Sequence, residues 1–316
     1  MRFLPLTVSE FGVDPTGFRI ATVGLFYGSL LEAEQQASTA NAVTKTLAEP
    51  GYRGGIYHFF DNCGPVSQAL PSFLAENKYQ DPTDAAHTAF QKAFPTDLPA
   101  FMWLPTQPDR FEPLQQVMTV QGASGVPWFT VFPFEKELAS FDLASQGQYA
   151  LVDVSGGFGH QSAALLGTYP QLKHKLALQD LPQALGRLPP GVIIPEGIEK
   201  VPHDFFQEQP VRGARFCYLR SVLHDWPDDE CVAILRRLRA AFGPQSQVLI
   251  DDMVLPDAGD PWEAAAIDLT MLASLGSRER TLREWYGLLD RAGLEVLQVH
   301  TYHPRRQDSI IQAVSK

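Results

Sequence analysis

The sequence predicts an α/β fold: a seven-stranded, mostly parallel sheet in the C-terminal half, preceded by a helical region. Three observations carry that prediction. From Gln148 onward, short apolar segments alternate with amphipathic helical patterns, as βαβ units require. The first segment, Tyr149 to Val154, ends in the glycine-rich turn Ser155-Gly-Gly-Phe-Gly. The last two, Leu294 to Tyr302 and Ser309 to Val314, are joined by a polar turn and form a closing antiparallel pair.

In chain order, residues 1–45 hold an apolar run at Ile20–Phe26, then a strand running into a helix from Ala37. Glu49-Pro-Gly-Tyr-Arg-Gly-Gly reads as a loop by its breakers. Helices are expected at Pro65 to Asn77, at Ala85 to Phe94 and from Pro108, where Phe111, Leu114, Val117 and Met118 share a face. Phe101, Trp103, Trp128, Phe129, Phe132 and Phe134 read singly as core, and as a set as a lining for a planar ligand. Strands two to five are expected at Lys175 to Asp180, Val192 to Ile194, Ala214 to Val222 and Gln247 to Asp252. Helices are expected at Gln161 to Thr168, at Asp228 to Phe242 with Asp228 as its cap, at Trp262 to Ser274, and at Thr281 to Ala292.

With 316 residues, 45% of them hydrophobic, the chain can build one large or two medium domains. No apolar run reaches the roughly 18 residues of a membrane helix, and the first residues lack a signal-peptide core. Cys63, Cys217 and Cys231 are odd in number and lack metal spacing, which reads as reduced thiols in the cytoplasm and gives no metal set. A net charge of -11 argues against nucleic acid and anionic membranes.

Two loops can carry chemistry. In the first, glycines after Asp153 let a ligand approach the backbone and free the next helix's N–H groups for it. Asp180, ending the second strand, suits ribose hydroxyls, so adenosine in some form is implied. No Gly-Lys-Ser/Thr follows, which excludes a P-loop; a dinucleotide fold stays open. The second loop is His224-Asp-Trp-Pro, where a buried strand hands over to a helix. His224 there is either a satisfied loop residue or a site residue at the ligand-binding end of the sheet.

Val152-Asp-Val-Ser-Gly-Gly-Phe-Gly-His160, Leu178-Gln-Asp-Leu-Pro182, His203-Asp-Phe-Phe206, Leu223-His-Asp-Trp-Pro-Asp228 and Arg278-Glu-Arg-Thr281 occur in this order. In this the chain resembles class I S-adenosylmethionine-dependent O-methyltransferases of the caffeate/flavonoid type, in their fungal secondary-metabolism branch. The resemblance is specific from about residue 145 and fainter from about residue 40, where Thr39 to Pro50 is similar to the end of a winged helix. It implies a Rossmann-like catalytic domain over 141–316. Residues 1–140 would hold a partial winged-helix and dimerisation remnant with a helical substrate-pocket region. It also implies S-adenosylmethionine as cofactor, held by Asp153, Ser155, Gly157, Asp180, Leu181, Asp204, Phe205 and Arg220. His224 matches the general base, with Asp252 and Glu279 as the acidic pair beside it. Met118, Met271, Trp226, Phe101 and Trp103 would contact the acceptor.

The chemistry implied is in-line attack by an oxygen on a sulfonium methyl. A phenol or enol needs its proton removed first, which imidazole can do near neutral pH. A carboxylate on the other ring nitrogen fixes the tautomer. The chain departs from the family in two ways. Ser155 replaces the first loop glycine, and a strained φ > 0 is expected there if the position demands it. The N-terminal dimerisation helices are expected to be mostly missing or replaced by residues 1–36, so a monomer or weakened homodimer is expected, with apolar surface near 18–31. Two alternatives to methyl transfer to an aromatic or polyketide hydroxyl remain: a pericyclase or cyclase that keeps the cofactor as a bound cation, and an inactive homologue.

Overall fold

The computed structural model describes residues 31–34, 37–120, 126–143, 148–186, 188 and 192–316. The apolar run at Ile20–Phe26, on which the expected dimer surface rests, lies outside them. The described residues fall into two compact units, one within Met1–Pro65 and Phe101–Ser124, the other within Val66–Ala100 and Gly125–Lys316.

In the first unit β1 (Leu31–Glu34) and β2 (Ala37–Ala40) pair antiparallel. The chain then enters α1 (Ala42–Ala48), as the strand-to-helix pattern predicts; the Asn41 side chain caps it by accepting the Thr44 N–H at 3.0 Å. The stretch after Glu49 is a helix, α2 (Pro50–Tyr57), and not the expected loop. Pro50 takes the first turn, where a missing N–H is harmless. The glycines serve packing against α3 (Pro108–Val120). A Cβ on Gly51 would stand 2.3 Å from Val120 Cγ1, and one on Gly54 2.4 Å from Gln116 Cβ. Close helix contact overrides the poor helix propensity of glycine here.

The second unit is built on the sheet. Its strands are β3 (Leu151–Val154), β4 (Leu176–Asp180), β5 (Ile198–Pro202), β6 (Phe216–Arg220), β7 (Gln247–Leu255), the two-residue β8 (Arg280–Thr281), β9 (Leu294–His303) and β10 (Asp308–Ser315). Seven of them lie in the order β5-β4-β3-β6-β7-β10-β9, with β8 paired to β7 off this path. β5 to β7 are mutually parallel, and β10 runs antiparallel to both its neighbours. This is the sheet the sequence predicts. The chain moves outward from β3 to β5, then returns to β6 on the other side of β3, so the switch point lies between β3 and β6. Ligands of open α/β sheets bind outside the carboxyl ends of strands there.

The helices that matter for the site are α4 (His160–Thr168), α5 (Asp228–Arg239), α6 (Trp262–Leu275) and α7 (Leu282–Ala292). Strand residues alternate between two cores with period two. Val152, Leu219, Val248 and Ile250 pack with Ile234, Leu235 and Leu238 of α5 and Trp285, Leu288 and Leu289 of α7. Leu151, Leu178, Phe216, Tyr218 and Leu249 pack with Leu165 of α4 and with Trp128, Phe129, Phe132 and Phe134.

Several sequence expectations are corrected. Those four aromatics are buried core, as each reads singly, and not the open set that a planar ligand would need: Trp128 stacks on Tyr218 at 4.6 Å between ring centres. The third strand is Ile198–Pro202, not Val192 to Ile194; Ile193 is 84% exposed. An edge strand needs no apolar run, since only one residue of β5, Ile198, is buried. Thr88 caps the helix expected from Ala85, which therefore spans only Ala89–Ala93. Asp228 is the first residue of α5 and makes no capping bond; its carboxylate instead receives Arg280 Nε at 3.0 Å and Nη2 at 2.9 Å.

Candidate active site

The glycine loop begins where β3 ends. Ser155 has φ 57, Gly157 φ 57 and Gly159 φ 70, so the serine occupies a left-handed position that glycine adopts freely. A Cβ on Gly156 would meet Asp153 Cγ and Leu178 Cδ1, each at 2.5 Å, so only glycine fits over the strand ends. A Cβ on Gly157 would meet nothing within 4 Å, so that side of the loop is open to a ligand. Beneath the loop, Asp153 accepts the Ser162 hydroxyl at 2.7 Å, and burial pushes its carboxyl up to about 6.

Asp180 closes the same end of the sheet. Its Oδ2 accepts the Gly157 N–H at 2.9 Å and its Oδ1 the Leu181 N–H at 2.7 Å. Burial raises its pKa, and the two amides oppose the rise. Each oxygen keeps a lone pair for a ribose hydroxyl. The Leu181 side chain is exposed beside it. The His203 N–H donates to the Asp180 carbonyl at 2.9 Å and brings the next loop to β4. There Asp204 Oδ1 accepts the Phe206 N–H at 2.9 Å, and the Phe205 ring lies edge-on to Trp226 at 5.9 Å. The open loop, the aromatic ring and two carboxylates with spare acceptors fit an adenosyl group.

Arg220 ends β6. Burial opposes its charge, but Asp251, which accepts Nη1 at 3.2 Å, together with Tyr218 and Tyr302 outweighs it and keeps the guanidinium protonated. Asp251 also accepts the Tyr218 hydroxyl at 2.5 Å and the Tyr302 hydroxyl at 2.6 Å. Sequence reading passed over Asp251. The signal was the Asp251-Asp252 pair itself, since consecutive strand residues face opposite sides of a sheet.

His224 sits in a single helical turn after β6 and is 8% exposed. Its Nδ1 lies 2.7 Å from Glu279 Oε1 and 3.9 Å from Asp252 Oδ1, and its Nε2 lies 3.5 Å from Asp225 Oδ1. Asp252 and Glu279 are 4% and 3% exposed, and one oxygen of each, Oδ2 and Oε2, has no hydrogen-bond partner. Burial disfavours a charged imidazole here, but Glu279, then Asp225 and Asp252, outweigh it and push His224 up to about 10. Burial pushes Asp252 up to about 8 and Asp225 up to about 6.

One detail differs from the sequence reading: Asp252 lies inside β7, which continues to Leu255, rather than ending it. Glu279 precedes β8, and its N–H donates to Asp268 Oδ1 on α6 at 2.8 Å. Asp225 is a further member of the cluster that its place beside His224 could have signalled. One ligand atom each of His224, Asp252 and Glu279 lies within 4.8 Å of the others, a composition that a divalent cation could also use. The His–Glu hydrogen bond occupies Nδ1, which favours a base with its carboxylates over a metal set.

The expected acceptor contacts divide between the units. Trp226 is half-buried, edge-on to Phe206 at 5.0 Å, and Met271 lies half-buried on α6. Phe101, Trp103 and Met118 belong to the first unit; Phe101 and Met118 are exposed and Trp103 is half-buried.

Residues 109–295 match the O-methyltransferase domain family. Demethylsterigmatocystin 6-O-methyltransferase of Aspergillus flavus is 42% identical over 318 residues, covering 99% of this chain and 80% of that protein. A solved structure described as a pericyclic reaction enzyme superposes with a TM-score of 0.87 at 35% identity, over 96% of this chain and 78% of that one. OxaC, solved with SAH and oxaline, has a TM-score of 0.81 at 26% identity, over 96% of this chain and 76% of that one.

Proposed function

The chain belongs to the O-methyltransferase family, in its fungal secondary-metabolism branch, and from that premise we propose the reaction and its residues. It is an S-adenosylmethionine-dependent enzyme that methylates a hydroxyl of an aromatic or polyketide small molecule, with His224 as general base. The observation that carries this reading is the 2.7 Å contact of His224 Nδ1 with buried Glu279 at the ligand-binding end of the sheet. The relatives support the substrate class, one being named for demethylsterigmatocystin and another solved with oxaline.

When bound, the cofactor supplies an electrophilic methyl on a cationic sulfonium. The loop around Gly157 would hold the cofactor's methionine part, Asp180 its ribose, Asp204 and Phe205 would flank its adenine, and Arg220 would be a basic contact to it. Glu279 accepts the hydrogen bond from Nδ1–H and so leaves the Nε2 lone pair for the acceptor hydroxyl. Glu279 and Asp225 then stabilise the imidazolium formed, while burial keeps the Asp252 carboxyl protonated up to about 8. Beside these carboxylates and with no ligand, His224 at about 10 rests protonated at neutral pH. A bound cation opposes those carboxylates and draws the imidazole back toward its ordinary value of about 6.5.

The test is a rate series of substituted phenols on wild type and His224→Ala. The variant should lose roughly 10²–10⁴-fold in rate, the usual share of a general base. The loss should shrink as the phenol becomes more acidic. A loss independent of phenol acidity would remove His224 from the role.

A second reading is a pericyclase that keeps the cofactor as a bound cation. It is favoured by the fold match to a pericyclic reaction enzyme and by the LepI structure in complex with SAM, TM-score 0.84. A product heavier by one CH2 supports methyl transfer; isomerisation at constant mass supports the second reading.

A further inference from the structure

The segment from Ser277 to Arg280 does more than present Glu279. The Ser277 hydroxyl donates to the carbonyl of His224 and, at 3.0 Å, to that of Trp226. Arg280 Nη1 donates to the Leu223 carbonyl at 2.9 Å and Nη2 to the Trp226 carbonyl at 2.8 Å. The carbonyls of the turn's first two residues and of the residue that follows it are thus taken by two side chains of one neighbouring segment. Arg280 is 1% exposed, and its guanidinium carbon lies 5.3 Å from the Trp285 ring centre. Its Nε and Nη2 also donate to Asp228, and Nη2 lies 3.5 Å from Cys231 Sγ, so the same side chain ties the turn to the start of α5. The segment is itself anchored. The Glu279 N–H donates to Asp268, Arg280 and Thr281 pair with β7, and Thr281 caps α7 with a reciprocal bond to Glu284.

We propose that Ser277 and Arg280 are positioning residues for His224. The 277–280 segment is a strap that sets the backbone of the catalytic turn and the carboxylate on its imidazole as one rigid piece. A planar guanidinium is what the task needs, because one side chain must reach three acceptors in fixed directions. An ammonium at Arg280 keeps the charge facing Asp228 but cannot span Leu223 and Trp226 together. The strap matters for rate because a displacement of about 1 Å at a catalytic group can cost on the order of 10²-fold.

This inference rests on His224 acting as the base, and the experiment separates the two. Ser277→Ala and Arg280→Lys are made singly and again on a His224→Ala background. The rate of methyl transfer, the acceptor KM, S-adenosylhomocysteine affinity by calorimetry and the His224 Nδ1 proton by NMR are followed. Ser277→Ala removes only a hydroxyl and guards against an Arg280 variant that fails to fold. Each single variant should lower kcat on the order of 10-fold, leave KM and cofactor affinity within about two-fold, and shift or broaden the Nδ1 proton signal. On the His224→Ala background the same changes should cost nothing further, since they act through the ring. An equal loss on both backgrounds, or an unmoved Nδ1 signal in both variants, overturns the strap. If His224→Ala alone leaves the rate intact, the base assignment fails, and the Nδ1 signal still decides whether the strap places the ring.

Discussion

Replacing Glu279 with glutamine removes a charge beside His224, the proposed base, but keeps an oxygen that can accept a hydrogen bond from Nδ1. Glu279 is the strongest of the three carboxylates that raise the pKa of His224, and it lies at hydrogen-bond distance, 2.7 Å. A hydrogen bond to a charged group contributes about 1.5–3 kcal/mol, which at about 1.36 kcal/mol per pH unit is about 1–2 units. The sign follows from which form is favoured. A carboxylate stabilises the imidazolium, so losing it makes the proton leave more easily, and the titration of His224 falls from about 10 by about 1–2 units. Asp225 and Asp252 remain and hold it above its ordinary value. A histidine NMR titration of the cofactor-free protein reads this directly. The rate plateau should fall on the order of 10²–10⁴-fold, because the amide neither stabilises the imidazolium nor enforces the tautomer. Linkage gives a second reading of the same group. The raised pKa means that the ion pair stabilises the fold fully below about 6.5 and is lost as the pH rises toward about 10. Glu279→Gln should therefore flatten that part of the stability profile. A titration that stays put, or moves upward, would refute the electrostatic role assigned to Glu279.

Three further outcomes are expected. Asp180→Ala should weaken S-adenosylmethionine binding by about 1.5–3 kcal/mol, read by calorimetry; unchanged affinity would place the ribose elsewhere. Ser155→Gly relieves a non-glycine residue at φ 57 and should raise stability in chemical denaturation by about 0.5–1 kcal/mol, since a left-handed residue costs roughly 1–2 kcal/mol and glycine returns part of that as entropy. A destabilised Ser155→Gly would show that the hydroxyl is needed. Gly54→Ala puts a methyl 2.4 Å from Gln116 Cβ and should destabilise the first unit by about 1–3 kcal/mol, whereas Gly167→Ala, whose Cβ meets nothing within 4 Å, should not; equal effects would remove close helix packing as the reason for Gly54.

The sequence by itself determined the sheet and the chemistry-bearing loops. Apolar runs such as Leu176–Asp180 and Phe216–Arg220 are strands because they are too short for a helix and alternate with helical patterns, and the glycines after Ser155 announce a backbone that turns tightly at the strand's end. His224, Asp252 and Glu279 were legible as candidates from their motifs, and the structure brings the three together. Tertiary contacts decided the rest. The glycines at 51, 54 and 55 read as a loop because propensity is local, while the helix they form exists through its packing on α3. The aromatics at 128–134 read singly as core and as a set as a ligand lining, because a sequence does not say which partner an aromatic ring will meet; Tyr218 meets Trp128 and Phe216 meets Phe132. Edge strand β5 was misplaced because a strand with one open side carries little hydrophobic signal. Ser277 and Arg280 joined the site only in three dimensions. A hydroxyl's and a guanidinium's reach depend on distances of a few ångströms between segments some fifty residues apart, and no local pattern records those distances.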